Sequence, residues 1–207
     1  DSVFSMEGTI ADLVSITKLA KTHGCRLFVD ESHAVGVFGE NGRGIAELQG
    51  IDDEVDIIMG TFSKAFAGLG GFITGRSELV DFIKHNGGGH IFSASLPPSV
   101  IATVLASLNI IRREPERRQA PLEKARYMAA ELRAIGYNAP YHGSQIVPVI
   151  LGNYTLALSA YKRFMDKGVY VNPVGPPAVP ESDAGFRTSY IATHRWDDLE
   201  KAVEVFR

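Results

Sequence analysis

Three short apolar runs constrain what this chain can fold into. They are "RLFVD", "VDIIMGTF" and "GGFITG", and all three lie within the first 75 residues. Continuous apolar runs rich in β-branched residues are typical of strands buried on both faces of a sheet. Segments with helical periodicity flank the runs, with a helix predicted over residues 7–24 and another over residues 77–85. This alternation predicts an α/β fold with a mostly parallel sheet.

The pattern changes in the second half of the chain. A long helix is predicted from "LPPSV" through "REPERR", because prolines are compatible with the first turn of a helix. Further helices are predicted over residues 122–135 and 155–167 and from Trp196, with short strands and a proline-rich loop between them. We therefore expect residues 1–96 to be the second half of a large domain. Residues 97–207 are expected to form a linking helix and a smaller α+β domain.

Composition narrows the class of protein. The chain has 207 residues, 45% of them hydrophobic, and a net charge of −3, which predicts a soluble globular protein and does not favour nucleic acid or an anionic membrane as partner. No apolar run approaches the roughly 20 residues of a membrane helix. The single cysteine excludes an intramolecular disulfide and fits a cytoplasmic location. Since the chain begins without Met or a targeting signal, we expect it to be the C-terminal part of a longer polypeptide.

Polar residues that can take part in catalysis or binding follow two of the predicted strands. Asp30 and His33 lie in "FVDESHAVG", and Thr61, Ser63 and Lys64 lie in "GTFSKAF". Ligands of open α/β sheets bind outside the carboxyl ends of the strands, so both motifs are predicted to share one edge of the sheet. A lysine between two buried strands is itself predicted to be buried, and an isolated buried ammonium is costly. This predicts a specific function for Lys64.

Three other interpretations of these residues are less well supported. The acidic "DESH" is similar to the acidic box of nucleic-acid helicases, but that function requires a GxxxxGK[ST] phosphate loop upstream, and this chain contains none. A metal site made of Asp30, Glu31 and His33 is weak, because ligands so close in sequence share one ion poorly and no further cluster adds to them. His33 taken alone is equally well explained as a hydrogen-bonded loop histidine.

Taken together, the two motifs fit the chemistry of pyridoxal phosphate. That cofactor needs a lysine to form a Schiff base and an acid to keep its pyridine nitrogen protonated. Lys64 and Asp30 can fill these two roles. Thr61 and Ser63 offer hydroxyl donors for the phosphate, and His33 can hydrogen-bond the phenolic oxygen of the ring.

The motifs "FVDESHAVGVFGENGRG", "IIMGTFSKAFAGLGGFITG" and "IFSASLPPSV" closely resemble the α-oxoamine synthases. These are pyridoxal-phosphate enzymes of fold type I, the aspartate aminotransferase-like fold, and they join an amino acid to an acyl thioester with loss of carbon dioxide. The resemblance implies that Lys64 binds the cofactor and acts as the base at Cα, that Asp30 pairs with the pyridinium and that His33 contacts the phenolic oxygen. Thr61 and Ser63 would contact the phosphate.

Two further roles follow from the resemblance alone. Ser93, in "IFSAS", matches a hydroxyl that reaches the phosphate from the neighbouring subunit, which implies a homodimer with a shared active site. Arg187, in "GFRTSYIATH", matches the arginine that holds the substrate carboxylate. Without the resemblance, Arg187 is best explained as a solvated arginine at a strand end. Some members carry an arginine before "PPATP", where this chain has Gly175, so a second carboxylate-binding arginine is not implied.

Several segments are most similar to serine palmitoyltransferases, among them "FSMEG" and "VYVNPVGPPAVP". This similarity implies condensation of L-serine with a long-chain acyl-CoA, or an acyl-carrier thioester, to an α-amino ketone such as 3-ketosphinganine in sphingolipid biosynthesis. The alternatives are an aminooxononanoate synthase or a ketobutyrate ligase, an oxoamine synthase domain of a larger protein, a fold type I aminotransferase or lyase, and a non-catalytic partner subunit. The last is disfavoured, because the lysine, aspartate and histidine are all present.

Overall fold

Backbone hydrogen bonds organise the chain around two three-stranded sheets. The computed structural model describes residues Asp1–Arg207, which divide into two compact units. The first unit contains Asp1–Val3 and Ala11–Arg118, and the second contains Phe4–Ile10 and Gln119–Arg207. The main division between the units of this chain therefore falls after residue 118. The domain boundary that the sequence predicts, between residues 96 and 97, stays a prediction.

The sheet of the first unit contains one parallel and one antiparallel pair of strands. Strand β1 (Phe28–Asp30) runs parallel to β2 (Ile57–Thr61), and β3 (Gly71–Gly75) runs antiparallel to β2. Because a parallel connection needs a crossover of a dozen or more residues, the short segment between β2 and β3 can only return the chain antiparallel. The outer edges of β1 and β3 have no neighbouring strand in this chain. Phe28 is consequently 57% exposed, so the strands are less buried than the apolar runs predict.

Helix α1 begins later than the periodicity predicts. It spans Leu13–Thr22, and the Asp12 side chain caps it by accepting hydrogen bonds from the Ser15 amide at 3.0 Å and the Ser15 hydroxyl at 2.6 Å. The preceding residues form a closed loop instead of a first helical turn. An aspartate at this position satisfies amides that the start of a helix leaves unpaired, so it fixes where the helix begins.

The long predicted helix is broken into two. Helix α5 (Pro98–Arg113) ends where it does because Pro115 disfavours helical geometry at the preceding Glu114, whose φ and ψ are −123° and 69°. Helix α6 (Glu116–Ala134) then starts before the predicted residue 122 and accommodates Pro121. The helices α2 to α6 span Ile45–Leu48, Ser77–Asn86, Gly88–Ile91, Pro98–Arg113 and Glu116–Ala134.

None of the helices is long and apolar enough to cross a bilayer.

The second unit is an antiparallel sheet packed against helices, as the α+β pattern of the sequence predicts. Its strand order is β4-β6-β5, with β6 in the centre. The apolar core between sheet and helices includes Val147, Phe164, Phe186 and Phe206, all at most 7% exposed. The strands β4, β5 and β6 span Ile146–Ile150, Asn172–Val174 and Gly185–Ser189, and the helices α7 and α8 span Tyr154–Asp166 and Trp196–Phe206.

Close packing explains why position 175, just before the proline pair of the second unit, is a glycine. Gly175 is buried, and a Cβ built on it would lie 2.4 Å from ring atoms of Tyr154. Carbon atoms do not approach that closely, so the ring and a side chain at position 175 exclude each other. An arginine at position 175 therefore has no room here while Tyr154 keeps its position.

We expect Gly175→Ala to lower the free energy of unfolding by about 1–3 kcal/mol, the usual cost of overpacking. Chemical denaturation of the full-length protein measures this loss. In a Tyr154→Ala background the ring is absent, so the same substitution should then cost much less. Equal costs in the two backgrounds would contradict the steric explanation.

Candidate active site

The parallel pairing of β1 with β2 brings Asp30 and Thr61 to one edge of the sheet. Asp30 is the last residue of β1 and lies opposite Met59, and Thr61 is the last residue of β2. Asp30 is half-buried, and its Oδ1 accepts a hydrogen bond from the Ser32 amide at 2.8 Å. The carboxylate therefore has a fixed position at the strand end, as the sequence predicts.

The segment after β2 folds into a tight loop that carries the lysine. The Phe62 amide donates to the Gly70 carbonyl at 2.9 Å, and the Ala67 amide donates to the Lys64 carbonyl at 3.0 Å. Ala67 has a φ of +51°, a left-handed conformation that is uncommon for residues other than glycine. Such conformations persist only where the surrounding structure imposes them, and they cluster at functional sites.

Thr61 and Ser63 place two hydroxyl groups side by side beside this lysine. Their oxygens, Oγ1 and Oγ, lie 2.9 Å apart, and the Thr61 hydroxyl also reaches the Gly70 carbonyl at 3.1 Å. Ser63 and Lys64 are both exposed. Adjacent hydroxyl donors next to an exposed amine form a surface that an anionic ligand can contact.

The predicted burial of Lys64 is wrong for this chain. The aromatic residues of the loop take the buried positions instead, and Phe66 is only 5% exposed. Phe66 packs edge-on against Phe62 and Phe72, with ring centroids 5.5 and 6.3 Å away. With these rings anchoring the loop, the Lys64 side chain lies on the solvent side, where a ligand can reach its amine.

His33 lies in the turn that follows β1 and is half-buried. The turn is fixed by two hydrogen bonds of 2.8 Å, which the amides of Ala34 and Val35 donate to the Glu31 carbonyl. These bonds define the turn, so His33 lies just after the end of β1, as the motif "FVDESHAVG" predicts.

Glu31 is a structural residue that sequence reasoning missed. Its side chain is fully buried, and it accepts hydrogen bonds from the Ser2 hydroxyl at 2.5 Å and from the amides of Ile45 and Ala46 at 3.0 and 2.8 Å. Both carboxylate oxygens are therefore engaged by donors at the start of α2 and near the N-terminus. Glu31 fastens the segment after β1 to that helix and thereby supports the position of Asp30.

Arg187 belongs to the second unit and is not a solvated residue at a strand end. It is the middle residue of β6, is half-buried and is flanked by β4 and β5. Its Nε donates to the Ser5 carbonyl, and its Nη1 donates to the Ser189 hydroxyl at 3.2 Å. Burial lowers the pKa of Arg187 from its ordinary value. Arginine remains charged under ordinary conditions, so the guanidinium is an oriented cation.

The remaining candidates differ in burial. Ser93 is exposed between α4 and α5, and its contact with a neighbouring subunit stays a prediction. His194 is half-buried, and burial together with the charge of Lys124 lowers its pKa. The first unit contains Asp30, His33, Thr61, Ser63, Lys64 and Ser93, and the second contains Arg187.

The donor set at the edge of the first sheet fits pyridoxal phosphate. A carboxylate at the end of β1 suits a protonated ring nitrogen, and the hydroxyl pair after β2 suits phosphate oxygens. The exposed amine of Lys64 on the adjoining loop suits a covalent bond to an aldehyde.

Comparison with known proteins identifies the family. Residues 1–206 match the family described as aminotransferase class I and II. The chain belongs to this family. The relatives described next are named as α-oxoamine synthases.

Two curated relatives and one solved structure illustrate the similarity. The chain is 59% identical to a putative 8-amino-7-oxononanoate synthase 2 of Mycobacterium tuberculosis, covering 100% of this chain and 27% of that protein. It is 40% identical to a serine palmitoyltransferase of Sphingobacterium spiritivorum, covering 99% of this chain and 51% of that protein. A lysine-to-alanine variant of serine palmitoyltransferase from S. paucimobilis, with a bound PLP–myriocin aldimine, has a TM-score of 0.94 and 35% identity, covering 99% of this chain and 52% of that one.

The comparisons confirm the predicted fold class and family. The structural match extends over 99% of the chain, which confirms the fold type I architecture. The chain spans about half the length of the two serine palmitoyltransferases and about a quarter of the length of the mycobacterial relative. The activity and substrates of the whole protein are therefore treated as proposals.

Replacing the buried acid tests its structural role. We expect Glu31→Gln to lower the free energy of unfolding by about 1–3 kcal/mol, because the amide cannot accept the same set of hydrogen bonds within a buried site. Denaturant titration of the full-length protein measures the loss. The exposed Glu78→Gln in the same unit is the control and should change stability by less than about 0.5 kcal/mol. Equal effects of the two substitutions would contradict this role.

Proposed function

We propose that the protein is a pyridoxal-phosphate-dependent C-acyltransferase of the α-oxoamine synthase type. It joins an amino acid to an acyl thioester with loss of carbon dioxide and forms an α-amino ketone. The observation that carries the proposal is the shared edge of β1 and β2, where the Asp30 carboxylate and the Thr61–Ser63 hydroxyl pair accompany Lys64. The family membership of the chain supports the same chemistry.

Each residue at this edge has a proposed task. The bound cofactor supplies an electron sink for the charge that develops at Cα. Lys64 would hold the cofactor through Nζ and would serve as the base that removes the proton from Cα of the amino acid. Asp30 keeps the ring nitrogen protonated, because an ionised carboxylate favours a cation beside it. His33 hydrogen-bonds the phenolic oxygen, and Thr61 and Ser63 donate to the phosphate.

Substrate contacts outside this edge are proposed for two further residues. Arg187 binds the carboxylate of the amino acid through paired hydrogen bonds, for which a planar guanidinium is suited. Ser93 contacts the cofactor phosphate held by the other subunit of a homodimer. The lack of space for a side chain at Gly175 supports Arg187 as the carboxylate ligand on its own.

L-serine and a long-chain acyl-CoA are the proposed substrates, with 3-ketosphinganine as product and the cytoplasm as the location. Similarity to serine palmitoyltransferases supports this choice. The second candidate is an aminooxononanoate synthase, and the 59% identity to a protein of that name favours it. The chain covers 27% of that protein, which also supports the idea of an oxoamine synthase domain within a larger polypeptide. A non-catalytic subunit is disfavoured, since Lys64, Asp30 and His33 are present together.

The role of Lys64 has a direct test. We expect Lys64→Ala in the full-length protein to abolish the absorbance band of covalently held cofactor and to reduce turnover at least roughly 100-fold, because both covalent binding and proton removal depend on the amine. Lys84→Ala is the matched control, since Lys84 is an exposed lysine on α3 of the same unit. The assignment is wrong if band and turnover both survive in Lys64→Ala.

The choice of amino acid has a separate test. We expect L-serine to change the absorbance of the bound cofactor in the full-length protein at lower concentration than glycine or L-alanine. Subsequent addition of acyl-CoA thioesters of several chain lengths, with product detected by mass spectrometry, identifies the acyl donor. A preference for L-alanine together with a pimeloyl thioester would favour the aminooxononanoate synthase instead.

A further inference from the structure

We propose that the loop Phe4–Ile10, held by Gly8 and Ser144, positions Arg187 for the substrate carboxylate. We call Phe4–Ile10 the Ser5 loop. The inference rests on the proposed function, because it assigns positioning residues to the carboxylate site. Every residue it uses belongs to the second unit.

The face of β6 that carries Arg187 is the face on which the Ser5 loop makes its contact. Side chains alternate along a strand, so Arg187 points away from the face of its neighbour Phe186. Phe186 is 2% exposed and packs into the core with Phe164, at a ring-centroid distance of 5.2 Å. On the other face, the Ser5 carbonyl accepts the hydrogen bond from Nε of Arg187.

This contact fixes which edge of the guanidinium can meet a ligand. The Ser5 carbonyl engages Nε, and the Ser189 hydroxyl engages one hydrogen of Nη1 at 3.2 Å. No hydrogen bond within the chain involves Nη2. The end formed by Nη1 and Nη2 can therefore donate two parallel hydrogen bonds to a carboxylate.

The Ser5 loop is itself held in a single position. The Phe4 amide donates to the Thr9 carbonyl and the Gly8 amide donates to the Phe4 carbonyl, both at 2.9 Å, which closes the loop. The hydroxyl of the fully buried Ser144 then donates to the Gly8 carbonyl at 2.7 Å. This bond attaches the loop to the residues that lead into β4.

Only glycine fits at the point of attachment. Gly8 has a φ of +70°, and a Cβ built there would lie 2.4 Å from the Ile146 carbonyl oxygen and 2.8 Å from the Ser144 hydroxyl oxygen. Any side chain must push the loop away from β4. Because β4 pairs with β6 and places Pro148 opposite Arg187, such a displacement moves the Ser5 carbonyl relative to the guanidinium.

The test compares two alanine substitutions in the full-length protein loaded with pyridoxal phosphate. Gly8→Ala introduces both the strained φ and the collision. Gly168→Ala in the same unit introduces a strained φ of +80° with no atom within 4 Å of the new Cβ, so it controls for strain alone. We expect Gly8→Ala to raise the Kd for L-serine roughly tenfold, since bidentate geometry tolerates little displacement, and Gly168→Ala to change it less than about twofold.

Two further measurements show whether the effect passes through Arg187. Ethanolamine lacks the carboxylate of serine, so Gly8→Ala should leave its Kd unchanged. In an Arg187→Ala background, Gly8→Ala should add no further loss of serine affinity. An equal loss for serine and ethanolamine, or an undiminished loss without Arg187, would overturn the proposal. Ser144→Ala removes only the hydroxyl and is the milder variant, with a smaller rise in the serine Kd expected.

Hydrogen exchange provides a readout that does not depend on ligand. The amides of Phe4 and Gly8 should exchange faster in Gly8→Ala than in the wild type, and they should be unaffected in Gly168→Ala. If the wild type binds serine and Gly8→Ala binds it equally well, the positioning role fails while the proposed function stands. If the wild type binds none of L-serine, glycine and L-alanine, both proposals fail.

Discussion

The parallel pairing of β1 with β2 is the constraint on which the candidate site depends. Parallel neighbours end at the same edge of a sheet, so the register that sets Asp30 opposite Met59 also sets the distance from that carboxylate to the segment after Thr61. The two motifs are separated by about thirty residues in the chain and have no local reason to meet. Glu31 and the aromatic residues of the lysine loop stabilise this arrangement from either side.

Much of the fold could be predicted because apolar patterning is local information. The runs containing β1, β2 and β3 and the helix from Trp196 were identified from residue type alone. The antiparallel direction of β3 was missed, although the segment before it is too short for a parallel crossover. Helix ends were misjudged where a single residue decides them, as Asp12 does for α1 and Pro115 does for α5.

The residues of the candidate site could be predicted from the sequence, but most of the contacts that hold them in place could not. Asp30 and Lys64 are recognised by residue type and by their place after strands, and a resemblance to a family sharpened their roles. The exposure of Lys64 was missed, because the sequence does not show that Phe62 and Phe66 take the interior positions of the loop. The partners of Arg187 and Glu31 were missed for another reason: their contacts join residues far apart in sequence and leave no local pattern.

The contact of Ser5 with Arg187 has a consequence for folding. The two residues are 182 positions apart, and Ser144 and Gly8 are 136 apart. Contacts between residues so far apart in sequence lower the rate of folding. Closing a long loop costs conformational entropy before the new contact stabilises the chain. During synthesis, residues 4–10 therefore emerge long before the strands that receive them. Arg187 gains its final orientation only when residues 4–10 meet strand β6, which is made later.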